Sequence, residues 1–220
     1  MKFTIVLTSL LFLLSCVEAP SQTDTQKELE SLAPVQTQAV DGIHKAYFAS
    51  GCFWCVEAVY ESVKGVKESI SGYSGGHTEN PTYQSSNTGR TGHAEAIEVY
   101  YDPSVISFSQ LVDVYFGSQR VTQVNGQGPD RGSQYRSIIF YQNDEEKAII
   151  AQKILQQEKV HGEGKVAAQV MPFQKFWVGE NYHQNYEARN PGNPYIQNVS
   201  IPRLRSFQQK FPELLKKNAH

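Results

Sequence analysis

The chain predicts an α+β (two-layer α/β) domain with a mixed sheet, and three observations carry that expectation. Segments with a two-residue apolar period alternate with segments of helical period. Gly, Pro, Asn and Asp clusters separate the segments at intervals suited to short strands and medium helices. Apolar content of 40%, with 12 Tyr and 11 Phe, supports one aromatic-rich core of ordinary size in 220 residues. Net charge is −2, which leaves no electrostatic case for nucleic acid as a partner.

The N-terminus reads as targeting rather than fold. Lys2 precedes a short apolar run from Phe3 to Leu14, too short to span a membrane, so residues 1–15 are expected to be a signal peptide. Leu13-Leu14-Ser15-Cys16 resembles the lipobox of bacterial lipoproteins. That resemblance implies lipidation of Cys16 and anchoring in the bacterial cell envelope, on a periplasmic or outer surface; simple secretion to the periplasm is the alternative. Residues 16–43 are rich in Gln, Thr, Ser, Glu and Pro, the composition of a flexible tether. A single catalytic domain is expected over residues 44–220.

Within that domain a strand is predicted over 45–49 and a helix over 53–64, with Val56, Val59, Tyr60 and Val63 on one face and Gly65 as the stop. A strand over 66–73 follows, then a long polar loop from His77 to Gly92. Ala94 to Tyr101 alternates as a strand. Ser107 to Gln110 looks like a capping box for a helix bearing Phe108, Leu111, Val112, Tyr115 and Phe116, which Gly117 ends. After a second polar loop, from Ser118 to Gln134, come a strand over 136–141, a long helix capped by Asn143 and reaching Val160, and a strand over 165–170. The order strand-helix-strand-strand-helix-strand is the split βαβ, or ferredoxin-like, pattern, extended by a helix and a strand. The aromatic segment from Phe173 to Tyr186 leads into a Pro- and Asn-rich stretch, expected to be a long irregular tail.

The chemistry concentrates at Ser50-Gly51-Cys52-Phe53-Trp54-Cys55, between the first strand and its helix. Cys52 falls at the helix N-terminus, where unpaired backbone N–H groups and the helix dipole favour a thiolate, so it is expected to be the more acidic thiol. Cys55 lies three residues on, within reach of a disulfide. Two packed core thiols are the bland alternative. In the strand over 94–101, period two places Glu95 on the face of Ile97, Val99 and Tyr101; burial there raises a carboxyl pKa and makes a candidate general acid. A Glu95 at the strand end, pointing into water, is the competing reading.

Further ordered motifs accompany these: Asn80-Pro81-Thr82-Tyr83, Thr91-Gly92-His93-Ala94-Glu95, Tyr101-Asp102-Pro103, Asp130 to Ser137, and Tyr182-His183-Gln184. Together with Gly51 to Cys55 they resemble the A-type peptide methionine sulfoxide reductases, from about residue 45 to about residue 200. The resemblance implies reduction of methionine S-sulfoxide, in proteins or free, through attack by Cys52 on the sulfoxide sulfur and a Cys52 sulfenic acid. It implies Glu95 as proton donor to the sulfoxide oxygen, and Tyr83 and Tyr135 as hydrogen-bond donors to the same oxygen. Phe53 and Trp54 would hold the S-methyl group, and Asp130 would organise the loop that presents Tyr135.

Many members of that family carry Gly at the position of Cys55 and resolve the sulfenic acid with cysteines in the tail. Here the tail has none, and Pro194-Tyr195-Ile196 stands where some would place one. Cys55 is therefore the resolving candidate, giving a Cys52–Cys55 disulfide reduced by thioredoxin or a similar exported dithiol. No cofactor and no metal are expected, the membrane is reached only through the lipid anchor, and the chain is expected to act as a monomer. Two rivals have different consequences. A general thiol-disulfide oxidoreductase of the envelope, with Met171-Pro172 facing the thiols, would leave Glu95 and the tyrosines without a task. A zinc module would join Cys52 and Cys55 to two of the six His, but no second closely spaced ligand pair exists.

Overall fold

Alternation along the strand His44–Ser50 sends Ala46 and Phe48 to one face of the sheet and Tyr47 and Ala49 to the other; all four are buried, so the sheet is covered on both sides. The computed structural model describes residues 24–217. In chain order its main elements are α1 (Asp24–Ser31), β1 (His44–Ser50), α2 (Phe53–Glu61), β2 (Val66–Ser74), the short α3 (Tyr83–Ser86), β3 (Ala94–Tyr101) and α4 (Phe108–Gly117). A small hairpin of β4 (Gly126–Gln127) and β5 (Asp130–Arg131) follows, then β6 (Ser137–Tyr141), α5 (Asp144–His161), β7 (Gln169–Pro172), β8 (Phe176–Val178), α6 (Tyr186–Arg189) and α7 (Ile201–Lys210).

The six-stranded sheet has the order β7-β6-β1-β3-β2-β8. Its centre, β6-β1-β3-β2, is antiparallel throughout and has the split βαβ order expected from the sequence. The parallel pairing of β6 with β7, across the α5 connection, makes the sheet mixed. Side chains of α2 and α4 bury Val56, Val59, Tyr60, Leu111, Val112 and Tyr115 against Phe48, Ile97 and Val99. Each such side chain contributes about 1.5–3 kcal/mol by leaving water.

Sequence signals for the helix ends correspond to the bonds made. Ser107 and Gln110 form a reciprocal capping box on α4, and Asn143 accepts from the Glu146 N–H at the start of α5. Three acidic residues in the first turn of α5, and Lys159 and His161 in the last, complement its dipole.

Four differences from the sequence expectation matter. Residues 24–43, expected to be part of a flexible tether, lie on the domain: Gln26 donates to the Met171 sulfur, the Val35 N–H to the Phe173 carbonyl, and Thr37 to the Gln142 side chain. Polar composition hid this because the segment is held by hydrogen bonds and few apolar contacts. The strand expected over 165–170 begins at Gln169, the first residue to pair with β6. A strand not expected, β8, pairs with β2. The tail is not irregular, since α7 buries Leu204 and Phe207 beside α2. Residues 1–23, which include the expected signal peptide and Cys16, lie outside the described residues.

Candidate active site

The C-terminal ends of β1 and β2 and the N-terminal ends of β3 and β6 meet at one end of the sheet, with Tyr73 opposite Glu95 and Ser50 opposite Ser137. Gly51 lets the chain leave β1 there. Its φ is +87°, and a Cβ would lie 2.4 Å from the Cβ of Gln127, so only glycine fits. Gln127 in turn accepts from the Arg120 N–H, which closes the 118–134 loop on itself beside Gly51.

Cys52 is the N-cap of α2, its carbonyl accepting from the Cys55 and Val56 N–H groups, and no side chain caps the helix. Both thiols are free and buried, Cys52 7% exposed and Cys55 2%. Burial pushes the Cys52 thiol up, reinforced by its hydrogen bond to Cys55 and by the charges of Cys55 and Glu95. Cys55 is held down to about 7 by the hydrogen bond from Cys52 against the cost of burial, helped by the Arg203 charge and by Ser200 and Tyr195. The order of acidity expected from helix position is thus reversed. The N-terminal dipole at Cys52 is outweighed by desolvation, while α7 brings a guanidinium to Cys55.

Glu95 is 2% exposed and faces the helices with Ile97 and Val99, as the two-residue period predicts. Its carboxylate accepts from the Phe53 N–H at 3.0 Å, one residue from Cys52. Burial drives its pKa up to about 8, partly offset by that N–H and reinforced by Asp130 and Cys55. At neutral pH the carboxyl holds a proton. Tyr83 and Tyr135 are half-buried against the same core, and burial, with the nearby Glu95 and Cys52 charges adding to it, keeps both phenols protonated as donors. Arg136, buried, places the loop carrying Tyr135 by donating to the Ser133, Gly75 and Gly92 carbonyls.

Phe53 is enclosed, while Trp54 is partly exposed and stacks on Tyr186 with centroids 3.8 Å apart. The Trp54 indole N–H donates to His183 Nδ1 at 3.0 Å, and the imidazole ring touches Phe53 and Tyr83 at 4.7 and 4.6 Å between centroids. That bond leaves Nε2 as the protonated nitrogen, 3.8 Å from Glu180. Glu180 accepts from the Tyr83 N–H and the Tyr73 hydroxyl, both at 2.8 Å. His183 and Glu180 thus orient the aromatic wall and Tyr83 together, a role no local sequence pattern announced.

Asp130 makes a contact beyond the one expected of it. Its carboxylate accepts from the Tyr195 hydroxyl at 2.6 Å, and that hydroxyl stands 3.8 Å from the Cys55 sulfur. Asp130 therefore reaches toward the thiol pair as well as belonging to the hairpin before Tyr135. Tyr195, which the sequence marks only as standing in the place of a cysteine, is the link between them. Among the described residues, no group of three or more His, Cys, Asp or Glu is arranged to hold a metal.

A buried thiol pair at a helix N-terminus, a carboxyl protonated at neutral pH and two phenol donors can accept an oxygen atom from a polar S–O group and supply the proton its departure needs. Residues 44–215 match the family model described as "Peptide methionine sulfoxide reductase". The chain is 46% identical over 172 residues to peptide methionine sulfoxide reductase MsrA of Pasteurella multocida, covering 78% of this chain and 98% of that protein. The MsrA of Saccharolobus solfataricus is 42% identical over 171 residues, covering 78% and 96%. Among solved structures, reduced Mxr1 from Saccharomyces cerevisiae superposes with a TM-score of 0.64 at 30% identity, covering 74% of this chain and 93% of that one. Methionine sulfoxide reductase A of Corynebacterium diphtheriae gives 0.63 at 30% identity, covering 72% and 84%.

Proposed function

The chain belongs to the peptide methionine sulfoxide reductase A family, whose members reduce methionine sulfoxide, and from that premise we propose the roles of its residues. Cys52 attacks the sulfur of methionine S-sulfoxide, in proteins or free. Its proton lies on the hydrogen bond to Cys55, which gives it a path off the sulfur. Glu95 supplies a proton to the sulfoxide oxygen, and Tyr83 and Tyr135 donate hydrogen bonds to it as the S–O bond breaks. Trp54, backed by Phe53, faces the S-methyl group. Methionine leaves and Cys52 is left as a sulfenic acid.

Cys55 then attacks the Cys52 sulfur, releasing water and forming the Cys52–Cys55 disulfide. Its low thiol pKa supports this assignment, since a resolving thiol must be a thiolate near neutral pH. Thioredoxin or a similar dithiol reduces the disulfide and restores both thiols. The observation that carries the reading is the protonated, buried Glu95 bonded to the residue next to Cys52.

The experiment is turnover on the two methionine sulfoxide epimers separately, with dithiothreitol as reductant. Reduction of the S epimer alone is expected; equal rates on both, or faster reduction of an unrelated protein disulfide, would remove the assignment. We further propose that Cys16 is lipidated and holds the domain at the cell envelope. The full chain should then partition with membranes, and Cys16→Ala should release it or block its processing; a mature protein beginning after residue 20 would show secretion instead.

A further inference from the structure

We propose that a cleft on the Cys55 side of the site binds a small thiol bearing a carboxylate, a second class of reductant that reduces the enzyme by attack at Cys55. The inference rests on the Cys52–Cys55 disulfide as the oxidised product.

The two sulfurs open to different surroundings. Cys55 lines a cleft of about 720 Å³ together with Gln127, Asp130, Tyr195 and Arg203, whereas Cys52, Glu95, Tyr83 and Tyr135 are not on its walls. That volume suits a small molecule. A thiol seated there reaches Cys55 without displacing anything from the methionine side.

Charge selects what binds. Arg120, Arg203 and Lys210 stand on the walls, and the single carboxylate among the lining residues, Asp130, is engaged by Tyr195. Arg203 spends its donors on neutral acceptors, the Ser118 carbonyl at 2.7 Å, the Ser50 carbonyl at 2.9 Å and the Ser50 hydroxyl at 3.1 Å. Its charge acts on Asp130 and draws the Cys55 thiol toward ionisation, and with Arg120 and Lys210 against the one carboxylate the cleft walls stay net positive. The whole chain is net negative, so a preference for anions must be local.

The step balances as thiol exchange. The incoming thiolate forms a bond to Cys55 Sγ, the Cys52–Cys55 bond breaks, and its electron pair goes to Cys52, which takes up a proton. A second equivalent of thiol attacks the bound thiol's sulfur, releasing Cys55 as a thiolate beside Arg203 and a small-molecule disulfide. Two thiols are oxidised and one protein disulfide is reduced. Leaving-group acidity alone favours the opposite direction, attack at Cys52; the place of Cys55 on the cleft wall and the charge there favour Cys55, and the position of the mixed disulfide decides between them.

Protein oxidised with one equivalent of methionine sulfoxide is treated with 3-mercaptopropionate, 2-mercaptoethanol and cysteamine, and rates are compared per thiolate. The anionic thiol should lead the neutral one, and the neutral one the cationic, by about three- to tenfold per charge, shrinking as salt rises. Arg120→Gln with Lys210→Gln, both at exposed positions, should flatten that order, and mass mapping of the trapped adduct should find it on Cys55. Equal rates per thiolate, an unaltered preference in the double variant, or an adduct on Cys52 would overturn the cleft proposal alone. Absence of the protein disulfide before any thiol is added would overturn the assigned oxidised product, and the cleft proposal with it.

Discussion

The Phe53 N–H donates to the Glu95 carboxylate at 3.0 Å, so the first residue of α2 is tied directly to the second residue of β3. This bond opposes burial without overcoming it, and Glu95 keeps a pKa of about 8. Glu95→Gln preserves the shape and the acceptor but has no carboxyl proton to give. Single-turnover sulfenic acid formation should fall by roughly 10²–10⁴-fold. In the wild type this step should also decline above about pH 8, as Glu95 ionises, and the variant should lack that decline. The linkage sign is that of a raised acid: the folded state binds the extra proton between the ordinary 4.5 and about 8, so Glu95's contribution to stability falls as pH rises through that window and levels off beyond it. An unchanged single-turnover rate in Glu95→Gln would mean that another group supplies the proton.

The reversed acidity of the thiols gives a titration that can be read directly. Thiolate absorbance of the reduced enzyme should rise with a midpoint near 7, and Cys55→Ser should abolish that rise. Cys52→Ala should move it upward, because Cys55 loses the hydrogen bond that contributes most to its low pKa, and should also abolish sulfoxide reduction. A titration near 7 that survives in Cys55→Ser would return the low pKa to Cys52 and to the helix terminus.

How much of this could be read beforehand depends on sequence distance. The order of strands and helices, and the placement of Glu95 on the buried face of β3, follow from periodicities within eight residues, which local side-chain geometry enforces. Cys52 follows from a strand, a positive-φ Gly51 and a helix in immediate succession. The supports came from elsewhere in the chain. Glu180 and His183 act on Tyr83 and Trp54 from a stretch with no regular period, and Arg203 sits in a helix whose two buried residues, Leu204 and Phe207, are diluted by Arg, Gln and Lys. Acidity at Cys55 is set by those distant partners, so a rule based on helix position alone reached the wrong order.

Resolution of the sulfenic acid should depend entirely on Cys55. Cys55→Ser is expected to carry out one reduction per molecule, stop as a sulfenic acid detectable by a trapping reagent, and lose turnover supported by a dithiol protein. In the wild type, mass spectrometry after one equivalent of sulfoxide should show a Cys52–Cys55 bond. With no cysteine in the tail, nothing else within residues 24–217 can replace it. Normal thioredoxin-supported turnover by Cys55→Ser would end the idea.

The Tyr195 hydroxyl joins Asp130 to Cys55, and its removal should separate the two halves of the cycle. Tyr195→Phe keeps the ring that meets Trp54 edge-on at 6.0 Å, so the methionine side should be little changed. It deprives the half-buried Asp130 of its 2.6 Å donor, at a cost of about 1–3 kcal/mol in stability, read as a lower denaturation midpoint. It also removes a hydroxyl 3.8 Å from the Cys55 sulfur, one of the groups that lower the thiol's pKa. Sulfenic acid formation should therefore proceed close to the wild-type rate, while disulfide formation slows near neutral pH and recovers as pH rises, where Cys55 ionises without help. Equal slowing of both steps would assign Tyr195 to the fold of the whole site, and a slowing that pH does not relieve would show that the hydroxyl acts on the position of Cys55 rather than on its charge.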